Sequence, residues 1–191
     1  MVYYLCTQFS SIFINIYIFQ QFYSLKVIGT YNAIMYSAWI IAYTVGTKLC
    51  GKSTRINVAF AALLGSIAVG VLLAIPQGIL WLDLCVGGVT GFASGFFYVA
   101  YNVLLYGFSR EGERGQSIAR LSVLTSIVAI TMPAMSGYLV SDVGFDAAFA
   151  LIIVLYFVMF LLSLGFQHVA LSSVRIRDVA KLPLGFGTFA V

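Results

Sequence analysis

Charge is what this chain has least of. Asp, Glu, Lys and Arg together make up 8% of its 191 residues. Average soluble domains carry about 25%, so a water-facing globule is excluded. The deficit is also organised. Residues 1–25, 27–47, 56–82, 84–109, 121–141 and 147–174 contain no Asp, Glu, Lys or Arg at all. Cysteine is scarce and unpatterned: Cys6, Cys50 and Cys85 are odd in number and widely spaced, which gives neither a zinc nor a redox motif. Cys6 and Cys85 sit in apolar runs, where packing as small hydrophobes is expected, and Cys50 is expected to face the cytosol. The N-terminus lacks the basic segment of a cleaved signal peptide, so the first apolar run is expected to stay.

What is present in quantity is apolar length, with 62% of residues hydrophobic. A helix rises about 1.5 Å per residue and a bilayer's hydrocarbon core is about 30 Å thick. Each of the six charge-free runs is therefore long enough to cross once. Unbroken apolar runs favour helices over the alternating strands of a barrel, because in lipid each segment must satisfy its own backbone. The expectation is an all-α polytopic membrane protein with helices at about 3–23, 28–46, 57–75, 79–107, 119–140 and 147–167. Residues 1–167 form the bundle, and residues 168–191 form a cytoplasmic tail or the start of a linker. The apolar end of that tail, 182–191, is too short to span.

The few charges are sorted by side. Lys48, Lys52 and Arg55 lie between runs 2 and 3, Arg110, Arg114 and Arg120 between runs 4 and 5, and Arg175, Arg177 and Lys181 after run 6. With six crossings these share one side, and Lys26 stands alone on the other. The excess of Lys and Arg marks the cytoplasmic side. The expected location is the cell membrane, plasma or inner, multi-pass, with both termini cytoplasmic. The net charge of +4 is a topology signal, and no nucleic-acid partner is expected.

Small residues recur at helical spacing: Gly87, Gly91 and Gly95 in run 4, Ala61 with Gly65, and Ala62 with Ser66 and Gly70, in run 3. Such rows let helices approach closely in lipid. Polar residues also recur. Gln8, Ser11 and Asn15 form a stripe on helix 1, as do Asn32, Tyr36, Trp39 and Tyr43 on helix 2. Ser94, Tyr98, Tyr101 and Asn102 do so on helix 4, and Ser122, Thr125 and Ser126 on helix 5. Unpartnered polar groups are costly in lipid, so these stripes face protein or a water-filled path. The solute-cavity candidates are Gln8, Asn15, Asn32, Tyr36, Tyr98 and Asn102, which can hydrogen-bond a solute and offer aromatic contact. Asp83, between two apolar runs, is expected at a solvated outer rim, with ion coupling as its sharper role.

Three motifs carry less. Residues 46–53 match G-x-x-x-x-G-K-[ST], but an apolar helix precedes them instead of a strand, so a tight basic turn is expected. Ser94 and His168 fall at different depths, too far apart for proton transfer, so no catalytic pair, metal site or cofactor is expected. Met132-Pro133 should kink helix 5.

Residues 137–149, which begin Gly-Tyr-Leu-Val-Ser-Asp and end Ala-Ala-Phe, resemble the helix 5–6 turn of the major facilitator superfamily. The run Met132-Pro133-Ala134-Met135-Ser136-Gly137 is similar to the family's helix 5, and Asn102 through Arg114 to the end of its helix 4 and the following loop. Phe13-Ile14-Asn15-Ile16-Tyr17 looks like helix 1 of some bacterial members. The helix 2–3 loop keeps Gly46 and Arg55 of the family's loop motif but has Cys50, Gly51 and Ser53 where Asp, Arg and Gly belong, so the family's latch is not matched.

The resemblance implies six transmembrane helices arranged as two inverted three-helix repeats. It also implies a secondary transporter in which a small-molecule solute binds between this half and a second six-helix half. That second half would come from the same gene, a second copy or another subunit. The alternative is a non-transporting scaffold or regulatory protein, or an inactive fragment, in which the stripes are interhelical glue.

Overall fold

The computed structural model describes residues 2–50, 53–74, 78–108 and 114–165. Among the described residues all regular structure is helical: α1 (Val2–Phe22), α2 (Leu25–Cys50), α3 (Thr54–Ala74), α4 (Leu80–Phe108), α5 (Arg114–Val143) and α6 (Phe145–Gly165). The tail, His168 and the 109–113 loop lie outside the described residues.

The charge-free runs predict 28–46 for α2 and 119–140 for α5, yet both helices are longer. Lys26, Lys48, Arg114 and Arg120 lie inside them. Lys and Arg are good helix formers, and their long side chains reach the polar headgroups while the backbone stays helical. Charge marks depth in lipid, not the end of the hydrogen-bond ladder. For the same reason the expected turn at 46–53 is mostly helix: Gly46 to Cys50 belong to α2, so their amides are not a phosphate cradle.

At the other end of the fold the links are minimal. Gly144, at φ 88°, is the one residue between α5 and α6, and its N–H bonds to Val140 O at 3.1 Å. That left-handed conformation costs a glycine little, which explains the abrupt reversal. Ser141–Val143, expected in this turn, are still helical. Pro133 lies within α5, which continues through it with one ladder bond missing.

Contacts between helices fix the alternation. Gly78 N–H donates to Gln21 Oε1 at 2.9 Å, which places the end of α1 beside the α3–α4 turn. Tyr17, near the end of α1, meets Phe145 and Phe149 at the start of α6. Asn57 donates to Gly46 O at 3.0 Å and to Cys50 Sγ at 2.9 Å, tying the start of α3 to the end of α2 at the opposite pole. Lys48, Arg55, Arg114 and Arg120 therefore share one pole. Lys26, Asp83, Asp142 and Asp146 share the other.

The closest helix pair is α2 with α4, which run parallel and in register. A Cβ on Gly87 would press on Tyr31, one on Gly91 on Met35 O, and one on Gly95 would lie 2.5 Å from Ala42 Cβ. The glycine row is thus a packing seam, as expected. In α3, Gly65 is filled by the Tyr156 ring of α6 at 2.5 Å from an added Cβ, whereas Gly70 has nothing within 4 Å and is no contact.

Four helices are long and apolar enough to cross a membrane among the described residues: α3, α4, α5 and α6. α1 and α2, at 21 and 26 residues, also have the length to cross.

Gly91→Ala should overpack the α2–α4 seam and cost about 1–3 kcal/mol. A lowered thermal midpoint in detergent checks this, and Gly70→Ala, whose Cβ meets nothing within 4 Å, should not lower it.

Candidate functional site

The parallel register of α2 and α4 decides where the polar stripe goes. Tyr31, Met35, Ala38 and Ala42 face the glycines of α4. Asn32, Tyr36, Trp39 and Tyr43 each follow one residue later, so they lie about 100° around the helix, along one border of the seam. The stripe spans 12 residues, a rise of about 16 Å along the helix. Both neighbouring helices contribute to it.

Toward the Lys26 pole, Asn32 Nδ2 donates to Asn15 Oδ1 of α1 at 3.2 Å and to Ile28 O at 3.0 Å. Asn15 in turn donates to Ser11 O at 2.8 Å. Toward the basic pole, Asn102 Nδ2 of α4 donates to Tyr43 OH at 3.2 Å. Between these two polar links lies a run of rings. Tyr36 stacks on Trp39 with centroids 5.9 Å apart, and Trp39 stacks on Tyr98 of α4 at 4.9 Å. An open hollow of about 400 Å³ is lined by Tyr36, Trp39, Ile40, Tyr43 and Thr44. Tyr36 is 54% exposed, Tyr43 and Asn102 are exposed as well, and Asn15, Asn32, Trp39 and Tyr98 are half-buried.

Of the candidates, Asn15 with Asn32 form one pair, Tyr36 and Tyr98 flank Trp39, and Asn102 reaches Tyr43. Gln8 lies on α1, but its side chain is outside what the structure describes. Two further residues belong to the site: Trp39 at its centre, between Tyr36 and Tyr98, and Tyr43 at its basic-pole end, bonded by Asn102. Their spacing on the same stripe was the available signal.

Asp83 departs from its expected place. It is 4% exposed, near the start of α4, and its Oδ2 has no hydrogen-bond partner. It lies within electrostatic reach of Tyr17 on α1 and Tyr31 on α2. A solvated rim is therefore the wrong description. The carboxyl is enclosed because α1 and α2 close over the first turns of α4. Cys85, two residues on, is exposed and does not pack, whereas Cys50 is buried against Asn57 and does not face the cytosol. Among the described residues no cluster could hold a metal ion.

A bundle of long, apolar helices with few charges defines the class of multi-pass membrane proteins. The chain is a member of the Major Facilitator Superfamily, whose family model matches residues 1–179. Members of that family are transporters and not enzymes. The chain is also similar to an uncharacterized protein in the sodM 3′ region of Geobacillus stearothermophilus, at 27% identity over 135 residues, which are 70% of this chain. The chain spans 63% of that relative's length. No solved structure matches it.

Asn15 and Asn32 share one hydrogen bond, so their alanine substitutions should not add. A double-mutant cycle on unfolding in detergent should give a coupling of about 0.6 kcal/mol, the usual size for such bonds in membranes.

Proposed function

We propose that this chain is one six-helix half of a secondary transporter in the cell membrane, and that it moves a small solute by rocking against a second six-helix half. The observation that carries this reading is the accessible stripe linking α1, α2 and α4. It has hydrogen-bonding amides at both ends and rings between them, within runs that hold no charge. In lipid such a face is costly, and over a water-filled path it is useful. Asn15, Asn32, Tyr36, Tyr98 and Asn102, with Gln8, form the solute wall. The second half covers that wall from the other side.

All six helices cross the bilayer in this reading, with the basic pole and both termini cytoplasmic. The described cations support it, since Lys48, Arg55, Arg114 and Arg120 oppose Lys26. The helices form two inverted three-helix repeats, α1–α3 and α4–α6. Exchanging the two repeats turns the packed pair α2·α4 into α5·α1, α3·α4 into α6·α1 and α2·α3 into α5·α6. It also leaves α3·α6 unchanged, and all of these pairs are in contact. Asp83 is the coupling group, since a buried carboxyl whose Oδ2 has no hydrogen-bond partner is expensive at membrane depth unless a proton or cation visits it.

Protein-dependent uptake into proteoliposomes from a panel of labelled neutral and ionic metabolites tests the reading. Asn32→Ala and Asn102→Ala should each cut the initial rate about tenfold, as loss of a hydrogen bond in the path implies. Undiminished rates in both variants would contradict the site. Single cysteines beside Lys26 and Arg55 should label from opposite faces.

A further inference from the structure

The rings of the stripe form a continuous path that no hydrogen-bonding role requires. Tyr36 and Trp39 of α2 lie at an interplanar angle of 22°, and Trp39 and Tyr98 at 27°, so three rings are nearly parallel. The path continues along α4, where Tyr98 meets Tyr101 edge-on at 6.4 Å and Phe97 stacks on Tyr101 at 6.0 Å. It ends on α1, where Tyr3 stacks on Phe97. At the open end Tyr36 is 54% exposed beside the hollow. A hollow of about 400 Å³ is the size of ordinary small-molecule sites.

The charge around this path is equally informative. Residues 1–25, 27–47 and 84–109, which supply all of these rings, contain no Asp, Glu, Lys or Arg. An anion entering the hollow would leave water and find no cation within these runs; the first one beyond them on α2, Lys48, stands a helical turn past Thr44 at the basic pole. A planar cation would find ring faces, whose negative quadrupole attracts it. A planar neutral ring would gain the stacking alone. The polar groups at the two ends, Asn15 with Asn32 and Tyr43 with Asn102, can bond an amide or hydroxyl substituent but cannot neutralise a carboxylate or phosphate.

We infer that the Tyr36–Trp39–Tyr98 ladder selects flat aromatic solutes that are neutral or carry one positive charge, and rejects their anionic counterparts. This rests on the transporter reading of the same surface and adds the chemistry of the solute.

The chain has two tryptophans, Trp39 and Trp81, which makes the test direct. In a Trp81→Phe background, Trp39 is the sole tryptophan reporter. Three probes share one ring and differ in charge: 1-methylnicotinamide, nicotinamide and nicotinate. Tetramethylammonium supplies a cation without a ring. Saturable change of Trp39 emission is expected with the first two, with nicotinate at least about tenfold weaker and tetramethylammonium without effect. Tyr36→Leu should weaken the first two about fivefold, the value of one stacking contact. Because Tyr36 is more than half exposed, that change removes a ring without opening the bundle.

Equal affinity for nicotinate, binding of tetramethylammonium, or quenching that never saturates would each overturn the inference. So would an unaltered response in Tyr36→Leu. Saturable, charge-selective binding without any uptake into proteoliposomes would sustain the inference and overturn the transport reading alone. Uptake of solutes with no preference for flat rings would do the reverse.

Discussion

The close approach of α2 and α4 is the constraint on which the rest of this molecule depends. Lipid tails are as apolar as leucine, so helices gain nothing from hiding apolar surface and must gain from contact. Three glycines on α4 provide that contact, and anything larger would strike Tyr31, the Met35 carbonyl or Ala42. The consequence is rotational. Once Tyr31, Met35, Ala38 and Ala42 are locked against α4, the next residue in each case stands at the edge of the seam. Asn32, Tyr36, Trp39 and Tyr43 can then meet Asn15 on one side and Tyr98 and Asn102 on the other. The polar face follows from the packing face by one residue.

The outer helices obey a looser rule. α3 and α6 pack through Gly65 and Tyr156, and Tyr156 is buried among rings and aliphatics. α5 is held more lightly. Among its described residues Val128 and Met132 alone are buried, while Ile118, Val123, Ile127, Ile130 and Tyr138 are exposed. For a chain in lipid this is no defect, since an exposed Ile is at home there. The buried polar groups carry more meaning. Asn57 fastens the end of α2 to the start of α3, and Asp83 is enclosed at the opposite pole without a hydrogen-bond partner for Oδ2.

Much of this was legible in the residues. Charge-free runs longer than a bilayer is thick have few alternatives to helices, and glycines at four-residue spacing have few uses in lipid other than contact. The site was half legible. Spacing alone placed Asn32, Tyr36, Trp39 and Tyr43 on one face, but which helix they would face depended on the register with α4. Trp39 and Tyr43 enter the site through that register, by way of Tyr98 and Asn102 of α4. Asp83 shows the limit of linear reasoning. Its neighbours in sequence suggested a rim, whereas its neighbours in space, Tyr17 and Tyr31, come from two other helices. Helix ends were also displaced, because Lys and Arg stop an apolar run without stopping a helix.

The central claim is that one face of α2 is locked to α4 while the adjacent face looks onto water. Cysteine scanning of residues 31–43 in a background lacking Cys6, Cys50 and Cys85 measures this directly, with a membrane-impermeant maleimide applied to protein in bilayers. The account requires labelling at positions 32, 36, 39 and 43 and protection at 31, 35, 38 and 42. Protection of both sets, or labelling with no helical period, would contradict it.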